Sequence, residues 1–154
     1  MKLHCRVLCI MIAVDTNVLL RYLLDDDARQ SKKASSIITG KNNVLITDIV
    51  LTETIWTLKG KKYNLDKELI IKVINTLFAE PNIIFEDGQT VWRALSDYKQ
   101  AKTIKVGNKR KEADFPDALI VNKALYVANR LNEELDGVYT FDLALQTIPG
   151  TRKP

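Results

Sequence analysis

Histidine is nearly absent: His4 is the single one in 154 residues. One imidazole cannot build a histidine-rich zinc site, and a Ser-His-Asp triad is not expected either. Cysteine is almost as scarce. Cys5 and Cys9 both fall in the first ten residues, and no thiol elsewhere could pair with them. No disulfide framework is implied, and a reducing cytoplasm is the expected compartment. Long apolar runs are also missing. The run Val7–Val14 is too short to span a membrane, and it passes straight into Asp15 with no small-residue cleavage site. Neither a membrane anchor nor a secretory leader is expected. There is no internal repeat and no low-complexity linker, so one domain is the natural count for this length.

What is present suits a soluble globular protein: 46% hydrophobic and 27% charged residues. A chain of this length buries enough surface to fold without a disulfide or metal staple. The formal charge is +4. A basic surface around an acidic pocket would suit a polyanion held by its phosphates. With histidine and cysteine set aside, catalysis here would fall to carboxylates and a hard metal ion.

Apolar runs and helical patterns alternate along the chain. Val7–Val14 reads as a buried strand, with residues 1–6 as an extension and Met11 as an alternative translation start. A helix over Val18–Leu24 follows, capped by Thr16 or Asn17. A second helix runs from Ala28 to Thr39, with Ala34, Ile37 and Ile38 facing inward and Gly40 closing it. Val44–Ile46 is a short strand. The helix opening at Thr47-Asp48 carries Ile49, Glu53 and Trp56 on one face, which is expected to point to the core. Asp66 starts a helix to Ala79, and Asn82–Phe85 reads as a strand. Asp87 or Gly88 starts a helix through Tyr98. Thr103–Ala113 is expected to be a polar basic loop. Asp114-Phe-Pro-Asp117 opens a long helix to about Leu135, with Pro116 in its first turn. Val138–Phe141 is a strand, Leu145–Ile148 a last short one, and Gly150–Pro154 a loose tail. Trp56 and Trp92 are expected in the core. The alternation predicts a three-layer α/β/α sandwich around a central, mostly parallel sheet.

Four acids fall where such a fold presents its ligands, beyond the carboxyl ends of the strands. Asp15 and Asp142 each end an apolar run. Glu53 lies within two helical turns of a strand, and Asp117 lies in a first helical turn. Crowded carboxylates repel, and a divalent cation relieves the repulsion; oxygen ligands favour Mg²⁺ or Mn²⁺. Such an ion can support phosphodiester cleavage. Structural readings stand beside this one. Asp15 alone is balanced between helix cap and ligand. Glu53 could pair with a lysine. Asp114 reads more readily as a cap, and Asp142 could be a turn residue. Lys105, Lys109, Arg110 and Lys111 read first as a solvated surface, with phosphate contact as the functional alternative.

The motifs Ile12-Ala-Val-Asp15-Thr-Asn17-Val-Leu-Leu, Thr52-Glu53-Thr54, Asp114-Phe-Pro-Asp117-Ala-Leu-Ile and Thr140-Phe-Asp142 together resemble the PIN domain. More narrowly, the chain is similar to VapC-type toxins of toxin–antitoxin pairs. The resemblance covers residues 11–150, leaving residues 1–10 as an extension and 151–154 as a tail. It implies a Mg²⁺- or Mn²⁺-dependent endoribonuclease. Asp15, Glu53, Asp117 and Asp142 match the family's acidic quartet, with Asp15 and Asp117 as principal metal ligands. Thr16, Asn17 and Thr140 match supporting polar positions, and Asp114 an additional acid. The resemblance also implies a homodimer and a small antitoxin partner whose tail enters the groove. Pro116 departs from the small residue expected inside the Asp-x-x-Asp motif. A housekeeping PIN nuclease and a non-catalytic PIN-like module remain alternative expectations. Metal-dependent phosphatase chemistry is disfavoured by Asn17, which stands where a second aspartate would be needed.

Overall fold

A computed structural model describes residues 10–154. Residues 1–9 lie outside it, and with them most of the expected extension and the start of the Val7–Val14 strand. The chain divides into two compact units, the first ending at Glu86 and the second beginning at Asp87.

In the first unit the described elements run β1 (Met11–Ala13), α1 (Thr16–Leu24), α2 (Ala28–Ile38), β2 (Asn43–Ile46), α3 (Asp48–Lys59), α4 (Lys67–Ala79) and β3 (Ile83–Phe85). The three strands form one parallel sheet in the order β1-β2-β3. Register pairs Ile12 with Val44 and Val44 with Ile83. Parallel pairing puts the three carboxyl ends at one edge of this sheet, where Asp15, Thr47 and Glu86 follow β1, β2 and β3. Each helix is started by a short polar side chain that accepts an amide of its own first turn: Asp15, Asp27, Thr47 and Asp66. The C-terminal end of α2 is closed from a distance. Asn82 Nδ2 donates to the carbonyls of Ile38 (3.2 Å) and Gly40 (2.7 Å), tying that helix to the lead-in of β3. The core of the unit includes Leu19, Ile38, Val44, Ile46, Leu51, Ile55, Leu58, Ile70, Ile74 and Leu77, all fully buried.

The expected inward face of α3 is wrong. Ile49 is 71% exposed and Trp56 58% exposed, and Glu53 between them is exposed. The helix buries Leu51, Thr54, Ile55 and Leu58 instead. Two stripes compete on this helix, and the wholly apolar one, Leu51-Ile55-Leu58, takes the core because Glu53 would have cost desolvation there. Trp92, on a helix of the second unit, is 54% exposed, so neither tryptophan is a core residue.

The second unit contains α5 (Gly88–Gln100), β4 (Ile104–Val106), β5 (Lys109–Lys111), α6 (Phe115–Arg130), β6 (Val138–Tyr139), a 3-10 turn (Leu145–Thr147) and β7 (Thr151–Arg152). Tyr98 of α5 meets Phe115 of α6 edge to face, with centroids 6.2 Å apart. Asn122 Nδ2 donates to Asp97 Oδ2 at 2.7 Å across the same helix pair.

Four sequence expectations are corrected in this unit. The stretch Thr103–Ala113 is not simply a loop: Ile104 pairs with Lys111 and Val106 with Lys109 in an antiparallel hairpin. Its two-residue turn places Gly107 at φ 59, which glycine adopts without strain. Helix α6 stops at Arg130 rather than near Leu135, because Leu131 caps it and Asn132 turns left-handed at φ 56. Leu145–Thr147 forms a 3-10 turn, not a strand, since Asp142 Oδ1 accepts from the amides of Ala144 (2.8 Å) and Leu145 (3.4 Å). The tail is not loose: β7 pairs with β6, with Val138 N on Gly150 O at 2.8 Å and Thr140 N on Arg152 O at 3.0 Å.

Among the described residues no helix is long and apolar enough to cross a membrane.

Candidate metal centre

The first unit brings together Asp15, Thr16 and Glu53. The chain leaves β1 in extended conformation at Asp15, φ −88 and ψ 177, and then winds into α1. Asp15 Oδ1 accepts from Val18 N at 2.9 Å, so this carboxylate is the helix cap. The expectation that Thr16 or Asn17 caps is therefore replaced. Thr16, released from that duty, donates its hydroxyl to Glu53 Oε2 at 2.6 Å. Thr16, just past the end of β1, thus fixes the carboxylate of α3. Such short bonds to an ionised acceptor are strong and directional. Asn17 is exposed and lines a separate cleft of about 260 Å³ with Val18, Arg21, Gln30, Lys33, Ala34 and Ile37.

The second unit gathers Asp114, Asp117, Thr140 and Asp142. Asp114 and Asp117 form a reciprocal capping box at the start of α6. Asp117 N donates to Asp114 Oδ1 at 3.0 Å, and Asp114 N to Asp117 Oδ2 at 2.8 Å. Pro116 occupies the first turn, where its missing N–H costs nothing. Thr140 Oγ1 accepts from Asp142 N at 3.0 Å, and Thr140 O accepts from Gln146 Nε2 at 2.8 Å. Asp142 is held in turn by the amides of Ala144 and Leu145.

Burial pushes the Asp117 carboxyl up to about 6, and the negative charges of Asp114 and Asp142 add to the shift, while the Asp114 amide opposes it. Asp114 and Asp142 are therefore close enough to disfavour ionisation of Asp117. This donor set is all oxygen, which fits a hard divalent cation and not a thiophilic one. Among the described residues no group of three or more Asp, Glu, His or Cys side chains is already drawn tightly around one point.

Lys105, Lys109, Arg110 and Lys111 are all exposed on the β4–β5 hairpin. Lys105 pairs with Arg110, so these two share one face, while Lys109 and Lys111 take the other. Sequence reasoning missed the surface around Glu53. Asp48, Ile49, Thr52, Glu53 and Trp56 line a cleft of about 340 Å³ on the outer face of α3. The wholly apolar competing stripe was the signal that could have shown Ile49 and Trp56 pointing outward.

An α/β protein with parallel strands, carboxylates at strand ends and a half-buried acid at a helix start belongs to a recognisable class. The family model described as PIN domain matches residues 12–147, and the chain belongs to that family. Its members are in general nucleases that use divalent metal ions. Comparison with curated proteins gives no significant match. Among solved structures, VapBC2 from Rickettsia felis bound to a DNA fragment from their promoter aligns over 94% of this chain and 98% of its own, at 16% identity and a TM-score of 0.35. A likeness that loose leaves the family model to define the class.

Proposed function

We propose that the protein is a metal-dependent endoribonuclease and the toxin of a toxin–antitoxin pair. The carrying observation is the crowded carboxyl group of Asp117, raised to about 6 by burial and by Asp114 and Asp142. A group held so unfavourably as an anion calls for a cation beside it. In this reading Asp15, Glu53, Asp117 and Asp142 are ligands for Mg²⁺ or Mn²⁺, with Asp15 and Asp117 the principal ones. When bound, the ion supplies an activated water and charge neutralisation at the phosphate.

The chain's own residues do the positioning. Thr16 fixes the Glu53 carboxylate through its 2.6 Å bond. The capping box fixes Asp117 on the first turn of α6, and Asp114 serves it as an orienting acid. Thr140 and the following amides fix Asp142. Asn17 completes the set as a supporting polar position of the motif. Lys105, Lys109, Arg110 and Lys111 form a cationic hairpin that takes RNA phosphates. A small antitoxin, a homodimeric state and a cytoplasmic setting complete the reading, as expected of the VapC-like branch.

The test is cleavage of single-stranded RNA with Mn²⁺ by the wild-type chain and by Asp15→Asn and Asp117→Asn. Loss of at least about a hundredfold in rate is expected for each, with circular dichroism unchanged. Wild-type rates from both variants would sink the mechanism. Growth arrest on expression, relieved by a co-expressed small neighbour protein, separates a toxin from a housekeeping nuclease.

A further inference from the structure

The cleft on α3 has a composition that a phosphate would avoid. Its two charged members, Asp48 and Glu53, are both negative. Its walls are apolar and outward-facing: Trp56 is 58% exposed and Ile49 71% exposed. Ile49, Glu53 and Trp56 fall at i, i+4 and i+7, so the two walls lie on either side of the carboxylate along one helix face. The volume, about 340 Å³, admits a planar ring. A neutral aromatic ring fits every part of this surface. Its faces lie against Trp56 and Ile49, and a ring-bound amino group meets the carboxylate oxygens. Glu53, which lines the cleft, is also the acid whose carboxylate Thr16 holds at 2.6 Å.

We propose that Trp56 is a base-stacking residue that seats an amino-bearing nucleobase of the RNA strand in the α3 cleft, next to the scissile linkage. This rests on the ribonuclease reading and adds a sequence preference to it. Adenine, cytosine and guanine carry an exocyclic amino donor; uracil carries none, and its N3–H donor lies between two carbonyl oxygens. A carboxylate accepts from the amino group of the first three, whereas at uracil it meets N3–H only with repelling carbonyl oxygens on either side. Stacking supplies affinity for any base, and the carboxylates supply the discrimination. A second copy of the chain is the poorer occupant. Closing a protein surface over Asp48 and Glu53 would strip water from two like charges at the centre of the contact.

The test uses full-length protein carrying Trp92→Phe, which leaves Trp56 as the sole tryptophan. In EDTA, its fluorescence is titrated with homohexamers of A, C and U. Quenching is expected with A and C at concentrations at least about fivefold lower than with U. With Mn²⁺, Trp56→Ala should raise KM about tenfold and leave kcat within about twofold, and Trp56→Phe should recover most of the loss. A Trp56 signal unmoved by any hexamer, or a Trp56→Ala variant with wild-type KM, overturns the proposal. So does a Trp56→Ala variant that changes oligomeric state on sizing while KM stays put, since a second copy then covers the face. If the wild-type chain cleaves no RNA but the hexamers still quench Trp56, the ribonuclease reading fails and the stacking site stands.

Discussion

Asp15 shows how one side chain can satisfy two readings. By sequence it was balanced between cap and ligand, and its Oδ1 does cap α1 through Val18 N. Capping leaves the carboxylate exposed at the end of β1, so the structural role fixes the group in place for the chemical one. The Thr16–Glu53 bond was not legible, because 37 residues separate the partners and nothing local marks them. Thr16→Val tests it. The bond is exposed, so stability should fall by less than about 1 kcal/mol, while RNA cleavage should fall about tenfold through a misplaced Glu53. Thermal melts and initial rates on the same preparation measure both. Asp117 makes a pH prediction. Its folded pKa, about 6, lies above the ordinary 3.8, so the neutral acid favours the fold. That contribution is complete below about pH 4 and is lost as pH rises through about 6. For a half-buried group, discounted for solvent screening, the loss is about 1–2 kcal/mol. Melts in EDTA should show this decline in the wild-type chain and a flatter profile in Asp117→Asn. An equal slope in both would show that Asp117 does not titrate in this range.

At the scale of elements, the parallel strands and most helices were legible because their signals are local. Asp27, Asp66 and Asp87 each cap the helix that follows. Errors arose where two local signals compete or where a partner is distant. Helix α3 offers two stripes, and only tertiary packing decides between them. The β4–β5 hairpin was missed although Gly107-Asn108 is a two-residue turn between Ile104-Lys-Val106 and Lys109-Arg-Lys111, because the basic residues masked a weak alternation. Strand β7 has no sequence pattern of its own, and its pairing with β6 is extended at both ends by amides donating to the Gly150 and Arg152 carbonyls. The hairpin geometry changes what the cationic residues can do. On a loop the four charges would act independently, whereas here Lys105 and Arg110 stand directly opposed on one face. Replacing both with alanine should weaken RNA binding and lower the slope of log affinity against log salt by about 1.4, from two lost phosphate contacts at roughly 0.7 each. Filter binding across a salt series, with the metal withheld to prevent cleavage, measures the slope. A parallel line for the double variant would assign these residues to solvent.

For the whole molecule, charge and composition set limits that the acids then sharpen. Net charge +4 with carboxylates concentrated at strand ends and at the start of α6 leaves the remaining surface more basic. Sequence order could place the four acids on their elements but not establish that they serve one ion. Two arrangements are chemically distinct. If all four share one ion, a ligand lost from either unit removes the site. If Asp114, Asp117 and Asp142 bind an ion alone, Asp15→Asn leaves that site intact. Mn²⁺ at about a hundredfold over its Kd should stabilise the wild-type fold by about 3 kcal/mol if the unfolded chain binds none. Under the shared arrangement, Asp15→Asn and Asp117→Asn each abolish this stabilisation, and the double variant does no more than either alone. Under separate sites, Asp15→Asn retains the Asp117-dependent part, and the two losses add. Melting curves of the four proteins with and without Mn²⁺ distinguish the cases, and they do so without any assay of cleavage. Additive losses would withdraw the shared ion while leaving the raised Asp117 carboxyl as a metal ligand in its own unit.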